Sequence, residues 1–200
     1  MARPKAFDPN EALTQAMLVF WQKGYEATSV AELTAAMGIN KFSLYSSFGD
    51  KRAVFLKALA HYRQTIAADQ FTCLQPASGL KALETFFARL TDAANPFRGQ
   101  GCLMVNSLVD LTGQDPEIDK EVRSHFKWVE NHFAAALMVA RDKGEVATAL
   151  DVKMKARSLI TLVHGVMTLG KAPFGRPVAR AAVEDAFASI RRQSTIKQEE

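Results

Sequence analysis

Cysteine is scarce: Cys73 and Cys102 are the two in 200 residues, and neither stands at the spacing of a metal-ligand set or a secreted disulfide framework. A reducing compartment fits that usage. No stretch approaches the roughly eighteen uninterrupted apolar residues of a membrane span, and Met1-Ala2-Arg3-Pro4-Lys5 is charged with no apolar run behind it. The expectation is a cytoplasmic chain without a membrane partner. Also missing are a glycine-rich phosphate loop, a nucleophile with a base, and paired carboxylates in an apolar setting. The four histidines, His61, His125, His132 and His164, are scattered. His125 and His132 stand seven apart on one helical face, but no carboxylate completes a His-Glu-x-x-His site. No enzyme chemistry, metal or cofactor is therefore expected. There is also no sustained period-two run of β-branched and aromatic residues, which excludes a sheet protein, and no internal repeat or low-complexity tract.

What is present is a 48% hydrophobic composition, ample for a buried core, with apolar residues at helical spacing almost throughout. An all-α fold of about nine helices follows. Net charge is +4, and residues 1–63 hold eight Lys and Arg against five Asp and Glu. The basic excess is thus concentrated in the N-terminal third, compatible with a polyanionic partner there.

Asp8-Pro9 with Glu11 reads as a helix start, followed by an apolar stripe of Leu13, Ala16, Met17, Phe20 and Trp21 and ended by Gly24. Ser29-Val30-Ala31-Glu32 is a capping box that opens a short helix burying Val30, Leu33 and Met37, stopped by Gly38. Asn40 caps a third helix of barely two turns, and Asp50 caps a fourth, to about Gln70, carrying Val54, Phe55, Ala58, Leu59 and Tyr62. Beyond Pro76 the expected helices carry Leu80 to Leu90, Cys102 to Thr112, Ile118 to near Gly144, Asp151 to Gly170, and an alanine-rich segment after Pro177. Asp115, Glu117, Asp119 and Glu121 read as a solvated helix start that favours the dipole.

The pair of short helices joined by Gly38-Ile39-Asn40 has a DNA-reading geometry, although on spacing alone it also fits an ordinary αα-hairpin. Its second helix spends only Leu44 and Phe48 on the core and leaves Lys41, Phe42, Ser43, Tyr45 and Ser46 outward. Lys41, Phe42 and Ser43, near the helix start, are the candidate base readers. Thr28, Ser29, Asn40, Tyr45, Ser46 and Lys51 are candidate contacts around them, Thr28, Tyr45 and Lys51 on phosphates. The arm carrying Arg3 and Lys5 could reach backbone or minor groove.

Phe7-Asp8, Leu13, Ala16, Phe20, Gly24-Tyr25, Thr28-Ser29, Leu33, Gly38-Ile39, Ser43-Leu44-Tyr45, Phe48 and Asp50-Lys51 together resemble the signature of the TetR/AcrR family of one-component regulators. The match covers about the first fifty-five residues without a gap; Phe42 stands where that family often has a small residue or proline. The resemblance implies a helix-turn-helix domain at residues 1–50 and a larger helical regulatory domain at 51–200. It further implies a homodimer through the last two long helices, double-stranded operator DNA with a pseudo-palindromic sequence, and release by a small-molecule inducer.

Candidate lining for an inducer pocket comes from Phe86, Phe87, Leu90, Cys102, Met104, Val105, Leu108, Phe126, Val129, His132, Phe133, His164 and Met167, each of which also fits a plain core. Gly101-Cys102-Leu103-Met104-Val105-Asn106 also resembles a stretch of a TetR subgroup that includes electrophile-responsive repressors. That likeness makes Cys102, with Lys171 by position, a candidate redox pair; helix starts favour a thiolate, while buried cysteines are mostly inert. A DNA-binding architectural protein without an inducer is the remaining alternative, distinguishable by its indifference to sequence.

Overall fold

The computed structural model describes residues 7–74, 79–92, 99–111 and 113–195, and among these every regular element is helical. Four helices come first: α1 (Pro9–Lys23), α2 (Val30–Ala36), α3 (Lys41–Ser47) and α4 (Lys51–Tyr62). Helical winding continues through a π-helical turn, Arg63–Ala67, a single turn α5 (Ala68–Gln70), and a 3₁₀ turn, Phe71–Cys73. Then follow α6 (Gly79–Thr91), α7 (Leu103–Leu111), α8 (Pro116–Asp142), α9 (Val152–Leu169) and α10 (Gly175–Thr195). The expected fourth helix thus reaches Gln70, but its last turns widen at Arg63–Ala67. The expected last helix begins earlier than its prolines suggested, because Pro177 sits in the first turn of α10, where no N–H partner is required.

The helix ends follow their sequence signals. Asp8 accepts from the N–H groups of Asn10 and Glu11, and Asn40 Oδ1 accepts from Ser43 N at 2.8 Å. Asp50 Oδ1 accepts from Ala53 N at 2.8 Å, and the Ser29–Glu32 capping box is complete in both directions. Gly24 and Gly38 close α1 and α2 at φ +83 and +65, conformations that cost a side chain with a Cβ.

The chain packs as two compact units. The first comprises the described residues up to Ala67 with Leu103–Arg123, and the second comprises Ala68–Cys102 with residues from Ser124 onward. In the first, α1 and α4 bury Met17, Phe20, Phe55, Ala58 and Leu59. Phe20 and Phe55 meet edge to face at 4.8 Å, and Trp21 meets Tyr62 at 5.0 Å. α2 and α3 contribute Leu33, Met37, Leu44 and Phe48, and α7 adds Leu103, Met104 and Leu111. Burying each such side chain is worth about 1.5–3 kcal/mol, so a seven-residue helix that could not persist alone is held by what it packs on. α4 belongs to this unit by packing, so the compact body extends past residue 50.

The second unit is centred on Phe133, which is fully buried and lies 5.2 Å from Phe86, 5.7 Å from Phe71 and 6.1 Å from Phe87, measured between ring centroids. α6, α9 and α10 close around it with Leu83, Leu159, Val163, Phe187 and Ile190.

Candidate nucleic-acid interface

α3 owes its orientation to two side chains. Leu44 is fully buried and Phe48, its C-cap, is 5% exposed, which leaves one face outward. On that face Lys41 and Ser46 are exposed, Phe42 is 80% exposed and Tyr45 53%, while Ser43 is half-buried. The five outward residues named from the sequence are thus uncovered to these differing degrees, and α3 is held at both ends. Asn40 caps its start, and Lys57 Nζ donates to the Phe48 carbonyl at 2.9 Å beyond its end.

The flank of the face is built from α4 and the α1–α2 turn. Lys51 stands 4.4 Å over the Tyr25 ring and donates to the Glu26 carbonyl at 3.4 Å. Its ammonium is therefore positioned by an aromatic platform and a carbonyl rather than left to swing. Burial raises the Tyr25 phenol above its ordinary value, helped by the charges of Glu26 and Asp50, so the ring under Lys51 is neutral at physiological pH.

Thr28 is 1% exposed, and its hydroxyl donates to the Gly24 carbonyl at 2.7 Å. It therefore locks the turn after α1, with its hydroxyl proton committed to that carbonyl. Ser29 is exposed, but its hydroxyl donates to Glu32 within the capping box. Arg3 and Lys5 lie outside the described residues.

Other long-range contacts were not legible. The acidic start of α8 is not simply solvated: Arg52 on α4 binds Asp115 through two nitrogens and also reaches Glu117, and Arg63 pairs with Glu121 at 3.5 Å. His61 Nε2 lies 2.8 Å from Thr14 Oγ1, whose own hydroxyl is within reach of the Asn10 carbonyl at 2.9 Å. Because that carbonyl can only accept, His61 is placed to donate from Nε2. The signals were visible as isolated residues, but the partners lie 47 to 65 positions away.

The inducer candidates divide sharply. Phe86, Phe87, Val129 and Phe133 are core residues of the second unit, with Leu90, Phe126 and Met167 packed against that core. His132 Nδ1 lies 2.8 Å from the Trp128 carbonyl and donates to it. His164 packs on Phe126 at 4.6 Å, and burial pushes its pKa down to about 4, so it is neutral at physiological pH. Met104 is fully buried in the first unit, where Val105 is half-buried and Leu108 is 39% exposed on α7. A cleft of about 640 Å³ in the second unit lies elsewhere, lined among others by Arg180, Phe187 and Arg191. Cys102 is 4% exposed and directly precedes α7; Lys171 is exposed just beyond α9. Among the described residues no cluster of three potential ligands could hold a metal, and no helix is long and apolar enough to cross a membrane.

A compact helical head with a capped, outward-facing second helix, joined to a larger helical unit, defines a helix-turn-helix transcription regulator. Comparison with known proteins agrees. Residues 12–58 match the family described as "Bacterial regulatory proteins, tetR family", and residues 79–187 match "Tetracyclin repressor-like, C-terminal domain". The chain belongs to the TetR family of DNA-binding regulators, which are not enzymes. It is 33% identical over 171 residues to the HTH-type transcriptional repressor ComR of Escherichia coli K12, covering 82% of this chain and 80% of that one. It is also 46% identical over 65 residues, 32% of this chain and 33% of the relative, to the repressor BdcR of the same organism. Among solved structures, a cysteine variant of the TetR-family regulator CifR with 26-base-pair operator DNA matches at a TM-score of 0.77 and 32% identity, covering 93% and 98% of the two chains.

Proposed function

We propose that the protein is a repressor that binds a pseudo-palindromic operator as a homodimer, putting α3 of each protomer into the major groove, and that a small-molecule inducer releases it. The observation that carries this reading is the division of α3: Leu44 and Phe48 are buried, while Lys41, Phe42, Tyr45 and Ser46 face outward. Residues 1–50 are the reading module and 51–200 the regulatory part, with α4 as the link. Lys41, Phe42 and Ser43 contact bases; Tyr45, Ser46 and Lys51 contact backbone. The named relatives support repression, and the operator complex of CifR supports the DNA partner.

For the dimer, α9 presents Met154, Ser158, Thr161, Gly165 and Thr168 along one exposed face, and α10 presents Val178, Ala182 and Asp185. Small residues at such spacing let helices of a second copy approach closely. For release, the inducer would act through the second unit and α8. That helix begins under Arg52 of α4 and continues in sequence past Arg123. Differential affinity of the inducer for the DNA-competent and incompetent states is what such coupling requires.

Selection of bound DNA from a random pool, followed by a screen for compounds that release it, tests both halves. A regulator enriches one short pseudo-palindrome, bound orders of magnitude more tightly than random DNA at fixed salt. Binding that is indifferent to sequence would point to an architectural protein instead. A second reading makes Cys102 an electrophile sensor with Lys171, supported by its position at the start of α7. At 4% exposure the thiol must be uncovered before it reacts. That reading fails where Cys102→Ser leaves electrophile-driven DNA release unchanged.

A further inference from the structure

We propose that Phe42 reads the 5-methyl group of a thymine in each operator half-site, so that part of the sequence preference rests on an apolar contact. The proposal depends on the placement of α3 in the major groove given above.

At 80% exposure Phe42 is the most exposed of the large apolar side chains described, ahead of Val109 at 77% and Phe174 at 71%. It is the second residue of α3, flanked by Lys41 and Ser43, with Ser46 one turn on. It belongs to the face on which Lys41, Tyr45 and Ser46 also stand exposed, and it makes no ring contact among the described residues. The backbone beneath it is not a frayed end, because Asn40 holds Ser43 N at 2.8 Å. The ring is thus carried on a fixed stretch of backbone and stands largely in solvent.

A phenyl ring has neither donor nor acceptor, so it can hold no phosphate oxygen and read no amino or carbonyl edge. Of the groups that base pairs offer in the major groove, the thymine methyl is the apolar one. An aromatic ring gains by leaving water, and it does so against a methyl without stripping water from a polar edge. Opposite cytosine, the same ring would meet an amino group it cannot satisfy. Packing on deoxyribose, or on a second protein copy, would be blind to the base.

The test uses the full-length protein and its selected operator, prepared with dT or with dU at each half-site thymine in turn. That change removes the methyl and leaves every hydrogen-bonding group in place. Affinities are measured at one fixed salt concentration, because phosphate contacts dominate otherwise. The expected result is one symmetric pair of positions at which dU weakens wild-type binding about tenfold, equivalent to about 1.4 kcal/mol. Phe42→Ala should bind the dT operator about as weakly as wild type binds the dU operator and should lose the dT/dU difference. Phe42→Leu should recover part of it. Because the ring is largely exposed, its removal should leave the fold intact, which unchanged helical circular dichroism checks. The proposal is overturned if wild type is indifferent to dU at every position, or if Phe42→Ala keeps the full dT/dU ratio. It is equally overturned if Phe42→Ala weakens both operators by one factor. Failure of wild type to select any sequence would instead sink the placement of α3 itself.

Discussion

Arg52 grips the carboxylate that caps α8: two guanidinium nitrogens bind Asp115, whose Oδ1 also accepts from Glu117 N at 2.9 Å and Ile118 N at 3.4 Å. The cap of one helix is therefore also the anchor of another. A bidentate guanidinium fixes direction as well as distance, which a lysine ammonium cannot reproduce.

Loss of this anchor should be felt at the DNA more than in stability. Arg52→Lys and Asp115→Asn should lower melting temperature only slightly, since partly exposed ion pairs add little. Each should change operator affinity or inducer response by about fivefold or more, the lower range of allosteric coupling. Wild-type operator affinity and wild-type inducer response in both variants would show that the contact is only structural. The Arg52 guanidinium holds Asp115 well below the usual carboxylate range, at about 2. A carboxylate with a depressed pKa stabilises the fold above its unfolded value near 4 and loses that contribution as pH falls toward 2. Asp115 should titrate in that window by NMR.

The outward face of α3 predicts separable losses. Lys41→Ala and Tyr45→Ala should each weaken operator binding by about 1–3 kcal/mol without changing the dimer measured by ultracentrifugation. Lys51→Ala, acting on a phosphate, should reduce the slope of log affinity against log salt by about one and should weaken all sequences alike. Unchanged affinity in both α3 variants would contradict the reading.

Gly38 supplies a backbone test. At φ +65, with nothing within 4 Å of the place a Cβ would take, its substitution meets strain but no collision. Gly38→Val should therefore cost about 1–2 kcal/mol, and Gly38→Asn clearly less, because asparagine tolerates the left-handed region. Thermal unfolding of the two variants measures the difference.

His164 sets a pH dependence of the second unit. Its pKa falls to about 4 through burial, against an unfolded value near 6.5, so the unfolded chain binds the extra proton between those limits. Stability is therefore full above about pH 6.5 and declines as pH falls toward 4, by up to about 3 kcal/mol from this group. His164→Gln should flatten that part of the curve relative to wild type, as read by melting temperature from pH 7 to 4. Identical slopes in the two proteins would place His164 in contact with water.

Much of the architecture can be read from local chemistry. Asp8, Ser29, Asn40 and Asp50 each carry the hydrogen bond that their position before an apolar repeat implied, because capping is decided within four residues. The outward set on α3 was legible for the same reason: a seven-residue helix with Leu44 buried has few ways to turn. The bond from the Thr28 hydroxyl to the Gly24 carbonyl was not legible, because it depends on how the turn after α1 closes. The candidate pocket residues could be named but not divided, since Phe133 at a core centre and Leu108 on an exposed surface share the same helical periodicity.

Short-range chemistry along the chain was enough to specify the helices, their caps, the turn at Gly38 and the groups carried by α3, all of which depend on neighbours a few residues apart. Only the packed molecule could show that Arg52 meets Asp115, 63 positions away, that His164 packs half-buried against Phe126, and that Lys51 lies over Tyr25. Such pairs arise only after apolar faces have packed, because charge and aromatic contacts act over a few ångströms and follow where burial brings the backbone.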